Sequence, residues 1–266
     1  MPNSTLSESR DATQVSPRLG LVYRFAPTRL VRVAFQNWLR PANFGSLGPV
    51  ATAGIPLDDR MVSRGGELTR LRGQVEWELT PRLFASGFAD FRYINNRPLS
   101  VSPFTVSELD NLGKLRPRDL SSLMRDDLLE SVDAPAFSKG RLNLAGGAFN
   151  YLLDRDWSLV GRYTLAQSTN TGTTAPGLDL PYVPRHTLAG GVTWMQRGWT
   201  FTGLLVHRGE RFADEANTQR LKPGLDGAFD LFWQSPDKHW LLRFSADNLI
   251  DKNEFAQYTL EANYRF

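Results

Sequence analysis

Residues 70–79 read RLRGQVEWEL, and they alternate without a slip. Side chains of an extended strand point to opposite faces in turn, so Leu71, Gly73, Val75, Trp77 and Leu79 share one face and Arg70, Arg72, Gln74, Glu76 and Glu78 share the other. The second row is too charged for a dry interior, because unpaired charges are not taken out of water. The first row has no polar side chain to offer water. Any half-solvated sheet can show one such strand, so the rest of the chain has to say what lies against the apolar side.

The same period of two recurs along the whole length. In WSLVGRYTLAQ (157–167), Trp157, Leu159, Tyr163 and Leu165 oppose Ser158, Arg162, Thr164 and Ala166. In WTFTGLLVHR (199–208), Trp199, Phe201 and Leu205 oppose Thr200, Thr202 and Arg208. The final stretch, QYTLEANYRF (257–266), aligns Tyr258, Leu260, Ala262, Tyr264 and Phe266 on one side. Strands are predicted over 18–25, 29–38, 68–79, 83–94, 141–152, 157–167, 186–195, 199–208, 225–234, 239–249 and 257–266. Most are close to the roughly 9 to 11 residues of a tilted strand that crosses a membrane. Segment 141–152 alternates less well, and its Gly146-Gly147 pair predicts a bulge or kink.

Short turns at 26–28, 80–82, 154–156, 196–198 and 235–238 alternate strictly with longer connections at about 39–67, 95–140, 168–185, 209–224 and 250–256. One end of the sheet therefore carries tight turns and the other long excursions, the plan of outer-membrane barrels. Tryptophan placement agrees. Trp77, Trp157, Trp194, Trp199, Trp233 and Trp240 all flank short turns, and only Trp38 of the seven lies at the other end. Indole favours the headgroup level of a bilayer, so these six are predicted to form an interfacial girdle.

Composition excludes several alternatives. The 266 residues are 41% hydrophobic and 22% charged, which is neither a disordered chain nor a bundle of membrane helices. No run approaches the roughly 20 apolar residues that a spanning helix needs. Cysteine is absent, which removes disulfides and thiol chemistry. The net charge of +3 is spread rather than clustered, unlike a nucleic-acid surface. His186, His207 and His239 fall on separate strands without metal-binding spacing, and Asp126, Asp127 and Glu130 lack the ligand pattern of a calcium loop. No catalytic serine motif or glycine-rich phosphate loop occurs. The expectation is no enzyme, no cofactor, no metal and no nucleic-acid partner.

The fold expected is all-β, an antiparallel transmembrane β-barrel region over 16–266 with about 11 meander strands, preceded by a surface or disordered start at 1–15. With the C-terminus periplasmic, an odd strand count places the start of the chain outside the cell. Single-chain bacterial barrels have even counts, so the expectation is the C-terminal part of a longer protein and a larger barrel, with an undetected strand or a start placed too late as the other ways to repair the parity. The inward rows nominate Arg24, Arg32, Arg70, Arg72, Glu76, Glu78, Arg162, Arg208, Asp226, Asp230, Arg243 and Asp247 as lumen-lining residues. Loop segment 118–130 has leucines near helical spacing and is expected to be a short surface helix.

The segment SPRLGLVYRFAPTRLVRVAFQNWLRP (16–41) resembles a strand-turn-strand passage of TonB-dependent receptor barrels, and VPRHTLAGGVTW (183–194), FSADNLIDKNEF (244–255) and the terminal YRF continue the likeness in order. The resemblance implies a bacterial outer-membrane protein for solute or ligand transport, without that family's N-terminal plug. It also implies that Tyr258, Leu260, Ala262, Tyr264 and Phe266 form the signal read by the barrel assembly machinery, with outer-membrane lipid and lipopolysaccharide as surroundings. A second likeness, through DLSSLMRDDLLESVDAP (119–135) and PYVPRHTLAGGVTW, is to barrels that carry TPR repeats upstream, so a missing plug or TPR region is an expected partner. The alternative from another class is a soluble secreted carbohydrate-binding β domain, which would need a second sheet over its apolar face.

Overall fold

The computed structural model describes residues 15–40, 50–58, 61–63, 65–96, 137–247, 249–250 and 256–264. In chain order the strands are β1 Arg18–Ala26, β2 Arg29–Leu39, β3 Ala51–Thr52, β4 Ile55–Pro56, β5 Glu67–Thr80, β6 Leu83–Asn95, β7 Lys139–Leu152, β8 Trp157–Asn170, β9 His186–Gln196, β10 Trp199–Arg208, β11 Arg211–Phe212, β12 Arg220–Leu221, β13 Gly224–Gln234, β14 Trp240–Asp247 and β15 Gln257–Tyr264. Eleven of them form one antiparallel meander in the order β1-β2-β5-β6-β7-β8-β9-β10-β13-β14-β15. The fold is all-β, a wall of an outer-membrane type barrel, and each of the eleven strands starts within two residues of its predicted start. The segment 118–130, most of 1–15 and Phe266 lie outside the described residues.

Register fixes the two faces. Arg70 stands opposite Arg92 and Arg72 opposite Asp90, so the charged row of β5 meets the charged row of β6 on one side. Leu71 and Val75 face away with Phe91 and Gly87. Across the sheet the apolar row is left bare, from Leu19 (69% exposed) in β1 through Leu188 and Leu205 to Leu260 (77% exposed) in β15. Among the described residues no second sheet covers it, whereas the carbohydrate-binding alternative requires one. Lipid is the solvent that such a face fits.

The Gly146-Gly147 bulge is a correction. The β6–β7 and β7–β8 registers run unbroken through both residues. A side chain at Gly146 would meet the Phe88 ring at 2.7 Å and the Tyr163 carbonyl at 2.6 Å, so glycine there makes room for a neighbouring aromatic ring rather than bending the strand. The real register shifts fall at Arg24/Ala26 and Glu78/Thr80, beside the short turns.

The long connections do not simply project. They carry two small ribbons, β3–β4 and β11–β12, that the alternation left unseen. At their end of the sheet, Met61, Val62, Phe137, Leu180 and Val183 fold over the inward Leu68, Ile94, Leu142, Leu144 and Ala166 and form the main apolar cluster. The inner wall is therefore capped near the long connections, and the apolar residues of β7 stand level with the charges of β6, Leu142 opposite Arg92 and Leu144 opposite Asp90.

Candidate functional site

Below that cap, β2, β5 and β6 hold a network of inward charges. Asp90 is fully buried, and three guanidiniums converge on its carboxylate. Arg70 reaches it through Nη2 at 2.6 Å and Nε at 2.9 Å, Arg92 through Nη2 at 2.8 Å, and Arg72 through Nη1 at 3.4 Å. A charge this deep is held only when matched by charge and hydrogen bonds, which is what the cluster supplies. Arg72 also lies over the Phe88 ring at 4.2 Å and donates to Gln74 Oε1 at 3.0 Å. Gln74 in turn donates to Glu76, which accepts from Arg32 at 2.7 Å.

The connection between β2 and β5 is tied into this wall. Arg32 donates to the Ala53 carbonyl at 2.9 Å, Arg70 to the Pro56 carbonyl at 2.8 Å, and Arg92 to Asp58 at 2.8 Å. Buried Gln36 donates to Thr52 Oγ1 and to the Ile55 carbonyl. The β3–β4 ribbon is thus held against the inner wall by side chains of three strands.

The other nominated residues sit elsewhere on the same face. Arg208 and Asp226 approach to 3.8 Å across β10 and β13, and Arg243 donates to Asp230 at 2.9 Å across β13 and β14. Half-buried Arg162 stands between them and the first network, opposite Ala148 and Ala189, and Asp247 ends β14. Arg24 and Glu78 are exposed near the short turns. The twelve residues therefore form no single pocket: Arg32, Arg70, Arg72 and Glu76 belong to the network of β2, β5 and β6, Arg208, Asp226, Asp230 and Arg243 pair off between β10 and β14, and Arg24, Glu78, Arg162 and Asp247 lie elsewhere on the face. Asp90, Arg92, Gln36 and Asp58 were missed, although Asp90 and Arg92 lie two apart in FADFRYI with the parity of the inward row.

The six girdle tryptophans lie on the outward face beside the short turns. Trp157 and Trp194 are paired with ring centroids 6.2 Å apart, Trp199 and Trp233 at 6.0 Å, and Trp240 packs on Tyr264 at 4.9 Å. Arg29 covers the Trp77 ring at 4.1 Å. Tyr258, Leu260, Ala262 and Tyr264 form the outward row of β15, exposed along the sheet edge.

A family model described as TonB dependent receptor-like, beta-barrel matches residues 125–249. Among solved structures, the ferric yersiniabactin uptake receptor FyuA from Yersinia pestis aligns at 13% identity and a TM-score of 0.56, over 93% of this chain and 35% of that one. BauA, the ferric preacinetobactin receptor from Acinetobacter baumannii, aligns at 13% identity and a TM-score of 0.52, over 94% and 34%. The copper transporter OprC aligns at 12% identity and a TM-score of 0.52, over 89% and 35%. The chain thus spans about a third of the length of these structures, and at such identities the likeness is one of fold. No curated protein matches it in sequence. With its bare apolar face, its outward tryptophans beside the short turns and the family match, the chain is a bacterial outer-membrane β-barrel region that resembles the barrels of TonB-dependent receptors.

Proposed function

We propose that the chain forms one sector of the wall of an outer-membrane receptor that takes a polar or metal-bearing solute across the outer membrane. The observation that carries this reading is the inner wall itself: paired charges from β2 to β14 on the face opposite the bare apolar one, in a chain matching a receptor-barrel family. The inward residues Arg24, Arg32, Arg70, Arg72, Glu76, Glu78, Arg162, Arg208, Asp226, Asp230, Arg243 and Asp247 would line the lumen, where mixed charges hold water and polar surfaces. A plug would seat on this wall, and the long connections would meet the solute first. The outward row of β15 would be handed to the barrel assembly machinery. Chemistry on the solute plays no part in this role. The likeness to TonB-dependent receptors over 125–249 favours this reading over a TPR-bearing exporter.

The solved neighbours are named for ferric chelates and copper, so those are the solutes to test. In the source bacterium, deletion of the coding region should abolish energy-dependent uptake of one labelled ferric chelate or of copper, and restoring it should return that uptake. Unchanged uptake of ferric hydroxamates, catecholates, citrate and copper would overturn the transport reading.

A further inference from the structure

The β3–β4 ribbon is a tight hairpin with two unlike faces. Ala51 pairs with Pro56 and Thr52 with Ile55, around a two-residue turn in which Ala53 and Gly54 both have positive φ, 52° and 76°. That is the backbone of the tightest hairpin turns. The Leu57 N–H donates to the Val50 carbonyl at 2.7 Å and closes the open end. Thr52 and Ile55 are buried against the wall, whereas Ala51, Gly54 and Pro56 are exposed on the side away from it. The wall leaves room for this seat. A Cβ on Gly20 would lie 2.8 Å from the Ala53 Cβ and 3.0 Å from Thr52 Cγ2, so the turn rests directly on β1. Gly20 stands opposite Ala34, the middle residue of β2. The turn therefore reaches halfway down the wall, roughly 15 Å along β2 from its end.

The holds on the ribbon come from inward side chains of the wall. Arg32 donates to the Ala53 carbonyl at the turn, Gln36 to Thr52 and Ile55 in the middle, Arg70 to the Pro56 carbonyl at the base, and Arg92 to Asp58 just beyond. Gln36, Arg70 and Arg92 are buried. Lifting the ribbon would take acceptors from all three at once, and a buried donor left without its acceptor carries the full desolvation cost. A segment that opens and closes is drawn instead from parts with few buried contacts and solvated hydrogen bonds. The ribbon is thus built as part of the wall, and a layer stacked on a sheet adds about 10 Å to its thickness. The side it turns away from the wall is Ala51, Gly54 and Pro56, which carry no charge and no side-chain hydrogen-bonding group. Such a surface limits what passes by its bulk and not by its chemistry.

We propose that the β3–β4 ribbon is a fixed constriction of the passage that selects solutes by size. It stays seated on β1 and β2 while the solute goes by, and the bulk at Ala51, Gly54 and Pro56 sets how large a solute this side of the lumen admits. The proposal rests on the receptor reading above.

The chain has no cysteine, so introduced thiols report on their own positions. In the protein as the cell makes it, G20C/A53C would be oxidised in the outer membrane, and uptake measured before and after reduction. The probes are iron, supplied as ferric citrate, hydroxamates and catecholates, and copper. A disulfide wants about 3.5–4.5 Å between Cβ atoms, which a small outward shift of the turn supplies. The bond is expected to form in nearly all molecules and to leave uptake unchanged. Uptake lost on oxidation and restored by reduction would overturn the proposal, because the ribbon would then be a moving lid. Whatever crowding G20C brings, A51C tests the same constriction with the seat untouched. A small methylthio adduct on A51C should leave uptake intact, and a bulky polar maleimide adduct should slow it several-fold. Equal uptake with both adducts overturns the size-selecting role. The receptor reading fails by a different result, a wild type that takes up none of these solutes, so the two failures are told apart.

Discussion

Asp90 is the residue on which the inner wall turns, because it is buried and faces Arg70, Arg72 and Arg92 together. Replacing it with alanine leaves three guanidiniums gathered without their shared acceptor, and removing one partner from a buried ion cluster costs on the order of 3–5 kcal/mol. D90A is expected to lower the unfolding free energy of the membrane-extracted protein by that amount, whereas E76Q, which breaks the partly exposed pair with Arg32, should cost roughly 1 kcal/mol or less. Equal losses would show that burial does not set the strength of this wall. Glycines make a second contrast at the same scale. An added methyl at Gly146 collides with the Phe88 ring and the Tyr163 carbonyl, while one at Gly73 meets nothing within 4 Å. G146A is expected to destabilise by about 1–3 kcal/mol through overpacking. G73A should be neutral or slightly stabilising, since it removes freedom from the unfolded chain. The same unfolding assay checks both.

Elements show why some of this was legible and some was not. Strands were readable because burial of one face imposes a period of two over ten or more residues, and the tryptophans marked which ends turned tightly. The Gly146-Gly147 pair misled because glycine has two uses in a strand, a bend or a berth for a neighbouring ring, and only the register reveals that Phe88 is the neighbour. Likewise Asp90 and Arg92 were on the inward parity, but which charges meet across strands depends on pairing that no single strand contains. The β11–β12 ribbon was unreadable for a different reason: it is held by a polar turn, not by alternation. Asp214 accepts from the Thr218 hydroxyl at 2.7 Å and from the N–H groups of Gln219 at 2.7 Å and Thr218 at 3.1 Å. Asn170 donates to Glu215, and Asn217 to the Asp179 carbonyl, which ties this connection to the one before it. The Thr218 hydroxyl bond, with the backbone donors, holds the Asp214 carboxyl below its ordinary value of 3.8. A group whose pKa falls on folding contributes fully above that ordinary value, and its contribution fades as pH drops through the lower folded one. Protection of the amides across 211–221, taken relative to the intrinsic exchange rate at each pH, should therefore hold at pH 5 and above and fall only in stronger acid, below about pH 4. D214N should bring faster exchange at neutral pH, and unchanged protection in that variant would show that the carboxylate is not what holds the turn.

At the scale of the whole molecule, the eleven-stranded sheet has two ends. Among the described residues β1 pairs only with β2 and β15 only with β14, so each edge carries a row of backbone N–H and C=O groups without a sheet partner. Water could satisfy such edges, but the same strands expose Leu19, Leu21, Tyr258 and Leu260 on the lipid-compatible face. In hydrocarbon an unpaired backbone group costs several kcal/mol, so an open sheet edge does not persist there. Both edges must therefore gain neighbours in the assembled membrane protein, whether from further strands or from another copy of the chain. Hydrogen exchange distinguishes the outcomes. In outer membranes, the amides of β1 and β15 should exchange as slowly as those of β6 and β7, which are paired on both sides. Fast exchange confined to the two edge strands, with β6 and β7 protected, would mean that the sheet stays open and that its apolar face rests against something other than lipid.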